Sequence, residues 1–136
     1  MYSMYSSMRQ YLINDYNVSS SVGASNIKVG YQKILNEYPC ITIFRIGETS
    51  VGRLGYQTSD GGSRDKDSSV MMQIDIFHPT SVEQLEYLDD YVKIAIMSGA
   101  STGLGVRLMS NPSYWDDTYN SYRTTQTWLC NQVIQD

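Results

Sequence analysis

Apolar and polar residues alternate with a period of two in several stretches of this chain, a pattern that predicts β-strands. In the stretch VMMQIDIF, every second residue from Val70 to Ile76 is apolar and shares one face, while Gln73 and Asp75 lie on the other. This stretch and Cys40–Ile46, which is rich in Ile, Thr and Phe, are expected to be central antiparallel strands. The other predicted strands are Asn26–Lys33, Val106–Met109 and Tyr122–Val133.

Two stretches follow the helical period instead. In the first, from Ser3 to about Tyr16, Met4, Met8, Tyr11 and Leu12 recur at helical spacing. The second begins at a capping box formed by Thr80 and Glu83, and its end is expected at Gly99. Its apolar stripe consists of Leu85, Leu88, Val92, Ala95 and Ile96.

Two segments between these elements are predicted as loops. Gly47–Ser69 is rich in glycine and charge and separates the two central strands, either as a long loop or as a protruding hairpin. Asn111–Asn120 is polar and contains Tyr114, Trp115 and Tyr119. The predicted fold class is therefore α+β, a two-layer sandwich of two helices on one face of a mostly antiparallel sheet of about five strands.

Length and composition agree with one domain over residues 1–136, of which 41% are hydrophobic and only 18% charged. The twelve tyrosines suit a protein-contact surface, and filling a polar-rimmed core is the alternative. A net charge of −4 without a basic run argues against a protein that grips nucleic acid. We expect a soluble protein of the reducing cytoplasm, without signal peptide or membrane span, whose Cys40 and Cys130 are buried free thiols.

Candidate catalytic groups are few. His78, the single histidine, lies at a strand-to-helix junction, where local hydrogen bonding is a more common role than base catalysis. Asp89–Asp90 is interpreted as a solvated helix face, and Asp116–Asp117 as turn formers rather than a metal site with Asn120. The glycine-rich stretch 99–105 lacks the lysine of a phosphate-binding loop. The sequence therefore predicts neither an enzyme nor a cofactor, catalytic or metal site.

The order and character of the elements resemble those of a known family. Tyr38–Pro39 opens the strand CITIFRIGE, a variable polar loop follows, and IDIFHPTS leads into the helix EQLEYLDDYVKIAI. The stretch WDDTYNSYRTTQTW then leads through an aromatic loop into the last strand. In these features nearly the whole chain resembles the tail terminator, or tail completion, proteins of long-tailed, lambda-like bacteriophages.

The resemblance implies a structural virion protein without an active site. Such a protein forms a ring, a hexamer in that family, which caps the tail tube, ends its polymerisation and provides the head–tail joining surface. Its partners would be further copies of itself, the tail tube protein and a head-side connector or neck protein, while DNA only passes through the lumen. It would be assembled in the host cytoplasm and lie at the head-proximal end of the tail, with no membrane contact.

The interface residues expected from this likeness lie in the two predicted loops. If the likeness holds, Gly47–Ser69 corresponds to the family's long β2–β3 loop and faces a neighbouring subunit, the tube or the head-side connector. The expected interface residues are Arg53, Tyr56, Asp60, Arg64, Lys66, Tyr114, Trp115 and Tyr119.

Three other functions remain open at this point. A head-completion or neck ring protein would have a similar size but bind the portal or connector. A small non-viral protein-binding module would stay monomeric or dimeric. A minor enzyme would use His78 with a nearby carboxylate.

Overall fold

A computed structural model describes the backbone of residues 4–30, 39–50, 66–100 and 105–134. The helices in these ranges are α1 (Met4–Asn14), α2 (Tyr16–Val22) and α3 (Val82–Ala100), with a short 3-10 turn at Ala24–Asn26. The strands are β1 (Ile27–Val29), β2 (Cys40–Ser50), β3 (Lys66–His78), β4 (Gly105–Ser110), β5 (Ser113–Asp116) and β6 (Ser121–Ile134).

The strands form one sheet in the order β1-β2-β3-β6-β4, and β5 also pairs with β6. Among the strand pairs that the structure describes, β1–β2 is parallel and the others are antiparallel. Strand β3 is central: it pairs with β2 from Cys40↔Phe77 onward and with β6 along its whole length. The predicted α+β class and the two central antiparallel strands are confirmed, with six strands described where about five were expected and three α-helices where two were expected.

The two faces of the sheet differ as the alternation predicted. Ile41, Ile74 and Trp128 point to the helices and are at most 1% exposed. They form one core with α1, α2 and α3, through residues such as Met8 and Val92. Since burying each large apolar side chain contributes ~1.5–3 kcal/mol, this helix-facing layer holds the fold together.

Helix α3 begins and ends differently from the prediction. The side chain of Ser81, not Thr80, caps it, because Ser81 Oγ accepts a hydrogen bond from the Gln84 amide at 3.1 Å. Gly99 lies inside the helix and not beyond its end. A Cβ at Gly99 would lie 2.3 Å from Cδ1 of Tyr11, so glycine is required there for the close approach of α1 and α3.

The N-terminal helix is also divided. The sequence predicted one helix that ended before the serine run, but α1 ends at Asn14 and α2 includes that run. Asp15 separates them and caps α2, since its carboxylate accepts from the Val18 amide at 3.1 Å. Val18 and Val22 are buried against the core, which explains why so polar a sequence is helical.

Three predicted loop and strand boundaries differ in the structure or are decided by it. Residues 47–50 and 66–69 pair as extensions of β2 and β3, which agrees with the hairpin alternative for this segment, while residues 51–65 lie outside the described ranges. Strand β1 is shorter than predicted and ends at Val29, before Gly30, which has a φ of 93°. The predicted polar loop 111–120 contains strand β5 and a turn at residues 117–120.

The cysteine prediction is confirmed. Cys40 and Cys130 are buried thiols and are not joined in a disulfide. Burial raises the pKa of the Cys130 thiol to about 11. Within the described ranges, none of the helices has both the length and the apolar character needed to cross a membrane.

Candidate interface

The most distinctive surface of the described chain is the hairpin of β5 and β6, which carries three of the expected interface residues. Tyr114 and Trp115 are 43% and 44% exposed, although large aromatic side chains usually avoid water. Neighbouring residues of a strand point to opposite faces, so these two rings lie on different sides of the sheet. We call this pair of strands, with its turn, the aromatic hairpin.

Arg123 holds the aromatic hairpin from the face opposite the helices. Its Nη1 donates to Oδ2 of Asp116 at 2.6 Å, and its Nε and Nη2 donate to the two carboxylate oxygens of Asp75 at 3.3 and 2.9 Å. Burial alone would lower the pKa of Arg123, but the hydrogen bonds to Asp75 and Asp116 outweigh it and raise that pKa. The guanidinium therefore stays charged and joins β3, β5 and β6.

Aromatic rings surround the same guanidinium. Its central carbon lies 5.2 Å from the ring centroid of Phe77, 5.7 Å from that of Tyr119 and 5.8 Å from that of Tyr114. Phe77 and Tyr119 also meet edge to face, with centroids 5.2 Å apart. These cation–π contacts fix the ring of Tyr114 on the rigid sheet while leaving part of it exposed.

Asp116 fixes the turn of the hairpin. Its Oδ1 accepts from the amides of Thr118 and Tyr119 at 2.9 and 3.3 Å. Burial alone would raise the pKa of Asp116, but the hydrogen bonds from Arg123 and from these amides together have a larger effect, so the pKa of Asp116 is lowered. Asn120 completes the turn with a φ of 52°, a conformation that asparagine tolerates. The prediction that this acidic pair forms a turn is confirmed.

Trp115 lies on the helix side of the hairpin. Its ring meets Tyr122 edge to face with centroids 4.9 Å apart, and its Nε1 donates to Oδ1 of Asp117 at 2.8 Å. Together with Val82 and Leu85 at the start of α3, these rings line a hollow of about 190 Å³. The indole is thus anchored at both ends while its remaining surface faces outward, a common arrangement in protein-contact surfaces.

A larger hollow of about 420 Å³ adjoins the first, since Val82, Leu85 and Ser113 line both. Its other walls are polar and come from Glu86, Asp89, Asp90, Lys93 and Asn111. We call the two hollows together the α3–β5 groove.

Asp89 corrects the prediction of a wholly solvated acidic helix face. Asp90 is exposed, but Asp89 is only 8% exposed and anchors α3 to the sheet. Its Oδ1 accepts from Nε2 of Gln126 at 2.7 Å, and its Oδ2 accepts from Lys93 at 2.9 Å. Gln126 in turn accepts from the indole of Trp128 at 2.9 Å. The hydrogen bond to Asp89 is the largest cause of a raised pKa of Lys93.

His78 has the local role that its position indicated. Its Nδ1 accepts hydrogen bonds from the amides of Thr80 and Ser81 at 3.4 and 3.1 Å. Burial lowers the pKa of this imidazole, which favours the neutral form that these bonds require. Among the residues that the structure describes, no three His, Cys, Asp or Glu side chains are grouped so as to hold a metal ion.

Comparison with known proteins identifies the fold. This chain has the fold of a virion protein. The match is to a chain in the virion of a native gene transfer agent (GTA) particle, with a TM-score of 0.57 and 8% identity. It covers 96% of this chain and 95% of the other. No protein-family model and no curated protein matches the sequence.

The eight expected interface residues divide into three groups. Tyr114, Trp115 and Tyr119 lie together in the aromatic hairpin. Lys66 lies at the other end of the sheet, where it begins β3 and pairs with Ile134, so it is not part of the hairpin. Arg53, Tyr56, Asp60 and Arg64 lie outside the described residues.

The prediction missed the residues that hold this surface in place, namely Arg123, Asp75 and Asp89. One signal was available: Asp75 stands between two isoleucines in a central strand, and a carboxylate at such a position requires a partner. The identity of that partner depends on the pairing of β3 with β6, in which Asp75 lies opposite Thr125.

Proposed function

We propose that this chain is a structural virion protein that forms a ring on the end of a tail tube, stops growth of the tube and provides the surface that joins tail to head. The observation that carries the proposal is the fold shared over nearly the full length of both chains with a component of a gene transfer agent virion. Because the match covers nearly all of both chains, the likeness extends over the whole fold and is not confined to one part of it.

The geometry of the described residues supports a function in which the protein acts by binding other proteins through its surface. The polar cluster around Arg123 is occupied by ion pairs and aromatic rings and serves to position the aromatic hairpin. Tyr114 and Trp115 are fixed but exposed, and preorganised aromatic side chains bind partners at low entropic cost. An acidic chain also suits a ring around passing DNA, since like charge prevents adhesion of phosphates.

A tube-growth assay tests the proposal. The purified chain is added to polymerising tail tube protein encoded with it, and tube lengths are measured by electron microscopy. We expect growth to stop when the concentration of rings, each made of several chains, is close to that of the growing tube ends, because one ring occupies one end. Tubes that grow to the same length with and without the chain would contradict the proposal.

A co-purification experiment separates this function from that of a neck protein. A terminator remains with isolated tails, whereas a head-completion protein remains with filled heads. Recovery of the chain exclusively on filled heads would replace the proposed function with the neck function.

A further inference from the structure

The solvent side of α3 carries large apolar side chains at positions where helices of globular proteins usually carry polar ones. Tyr87, Ile94 and Met97 are 47%, 58% and 61% exposed. Exposed apolar residues that occur singly are ordinary, but several that lie together on one face indicate a contact surface. These three share one side of α3, because residues three, four and seven positions apart lie on the same side of a helix.

Two carboxylates lie in line with the apolar side chains. Glu83, Tyr87, Asp90, Ile94 and Met97 follow one another at spacings of four, three, four and three residues. This is the spacing of the contact between two helices that pack side by side. At a rise of ~1.5 Å per residue the line is ~21 Å long, which suits a helix of about four turns. We call these five residues the outer α3 face.

The contacts within the subunit hold this face in shape and leave its charge available. The hydroxyl of Tyr87 donates to Oε1 of Glu83 at 3.1 Å and so orients the ring along the helix. Lys93 lies 3.7 Å from Oδ1 of Asp90 but 2.9 Å from Oδ2 of Asp89, so it binds mainly to Asp89. The side chain of Asp90 is 62% exposed, and its carboxylate can therefore bind a cation of a partner.

The charge of the outer α3 face decides which class of partner fits it. Its carboxylates repel nucleic acid, and helices that bind membrane surfaces carry lysine and arginine instead. A second copy of α3 fits poorly: the face contains no cation, so Asp90 would be covered by another carboxylate or by an apolar side chain. Small molecules bind in concave sites, whereas this is the convex side of a helix.

We infer that the outer α3 face binds a helix of another protein in which a lysine or arginine lies between apolar side chains at the same spacing. The cation of that helix lies against Asp90, and its apolar side chains pack against Tyr87, Ile94 and Met97. The inference goes beyond the proposed function and does not depend on it, since it concerns one face of a single subunit and the chemistry of its partner.

A designed peptide tests the chemistry of this face. The peptide is held helical by a side-chain bridge and carries leucines opposite Tyr87, Ile94 and Met97 and one lysine opposite Asp90. It is titrated into the intact protein while backbone NMR signals are recorded, and the shifts are expected to concentrate from Tyr87 to Met97. Replacing the peptide lysine by glutamate should weaken binding about fivefold, since a weak exposed attraction becomes a repulsion.

Protein variants separate this face from general charge. Asp90→Asn should remove most of the preference for the lysine peptide, and Asp90→Lys should invert it. Gln84→Lys is the matched control, because it changes the net charge as much as Asp90→Asn does, from an exposed position ~120° around the same helix. It should leave the preference intact. Absence of shifts on α3, or equal effects of Asp90→Asn and Gln84→Lys, would overturn the inference.

The apolar part of the contact has its own variant. Ile94→Ala should weaken binding of the lysine peptide about fivefold, because it truncates a side chain at the centre of the contact. It should leave the urea midpoint of the protein unchanged, since Ile94 is exposed in the free subunit. Unchanged peptide binding by the folded variant would contradict the inferred contact.

Cross-linking with the whole chain identifies the natural partner. A photoreactive amino acid replaces Ile94 in cells that also express the proteins encoded beside this chain, and the cross-linked peptides are sequenced by mass spectrometry. The expected product joins residue 94 to a helix of a different protein with a lysine or arginine between apolar residues at the stated spacing. A product with α3 of a second copy, with lipid or with nucleic acid, or no product, would overturn the inference. The tube-growth assay would be unaffected by that result, so the proposed function would stand.

Discussion

Replacement of Arg123 by alanine is the sharpest test of how the aromatic hairpin is held. The side chain of Asp75 is 2% exposed, and Arg123 supplies two of its hydrogen bonds. Removing one partner of a buried ion pair costs 3–5 kcal/mol, because the other charge stays buried. Thr125 and Gln73 still donate to Asp75, so we expect the lower end of that range, about 3 kcal/mol.

The assay is urea unfolding followed by tryptophan fluorescence and by far-UV circular dichroism. Arg107→Ala is the matched control, since Arg107 is an exposed arginine of the neighbouring strand β4, and it should change the unfolding free energy by less than about 0.5 kcal/mol. Arg123→Lys keeps the positive charge but loses the planar guanidinium that binds both carboxylate oxygens of Asp75. Its decrease in unfolding free energy should therefore lie between those of Arg123→Ala and Arg107→Ala.

A double-mutant cycle with Asp75→Ala isolates the pair. The sum of the two single losses should exceed the loss in the double variant by more than about 1 kcal/mol, because the double variant leaves neither Asp75 nor Arg123 buried without the other. A loss below about 1 kcal/mol for Arg123→Ala, or additive losses in the cycle, would refute the reasoning that this pair fixes the hairpin.

Three further predictions concern other parts of the fold. Gly99→Ala should lower the unfolding free energy by about 1–2 kcal/mol in urea titrations, since overpacking against Tyr11 outweighs the better helix propensity, and an unchanged midpoint would contradict this. In a Tyr11→Ala background the loss should shrink without vanishing, because the ring is gone but the Cβ of residue 11 still lies 2.9 Å from the added Cβ. The thiols of Cys40 and Cys130 should resist a disulfide reagent at about pH 8 until urea unfolds the chain, and rapid reaction of the native protein would show that they are accessible. The stability that Asp116 contributes should be fully present above its ordinary pKa of 3.8 and be lost as the pH falls through its lower pKa in the folded protein. The melting temperatures of wild type and Asp116→Asn should therefore converge in acid, and a difference that stays constant with pH would contradict this.

The sequence predicted the sheet well because its strands alternate strongly. Burial of Val70, Met72, Ile74 and Ile76 on one face follows directly from their spacing. Strong alternation fixes both the element and its inward face, so the central strands required no tertiary information.

The wrong boundaries have tertiary causes. Gly99 has the ordinary character of a helix end, but the approach of Tyr11 on α1 requires it inside α3. The serine run of α2 has little helical preference by itself and is helical because Val18 and Val22 reach the core. Strand β5 is too short and polar to predict, and it forms because β6 offers an edge from Ser121 to Thr124.

The candidate site was predicted in part. Tyr114, Trp115 and Tyr119 could be named from their composition and their place before the last strand. Arg123 and Asp89 could not, because their roles depend on which strand and helix lie beside them. The α3–β5 groove likewise arises from two segments that are separate in sequence, residues 82–93 and 111–122.

Imaging of tube ends tests the central claim most directly. Tail tubes mixed with the purified chain are examined by cryo-electron microscopy, with averaging of each end separately. The account predicts a closed ring of identical subunits at one end only. Bare ends, or chain bound along the sides of the tube, would contradict it.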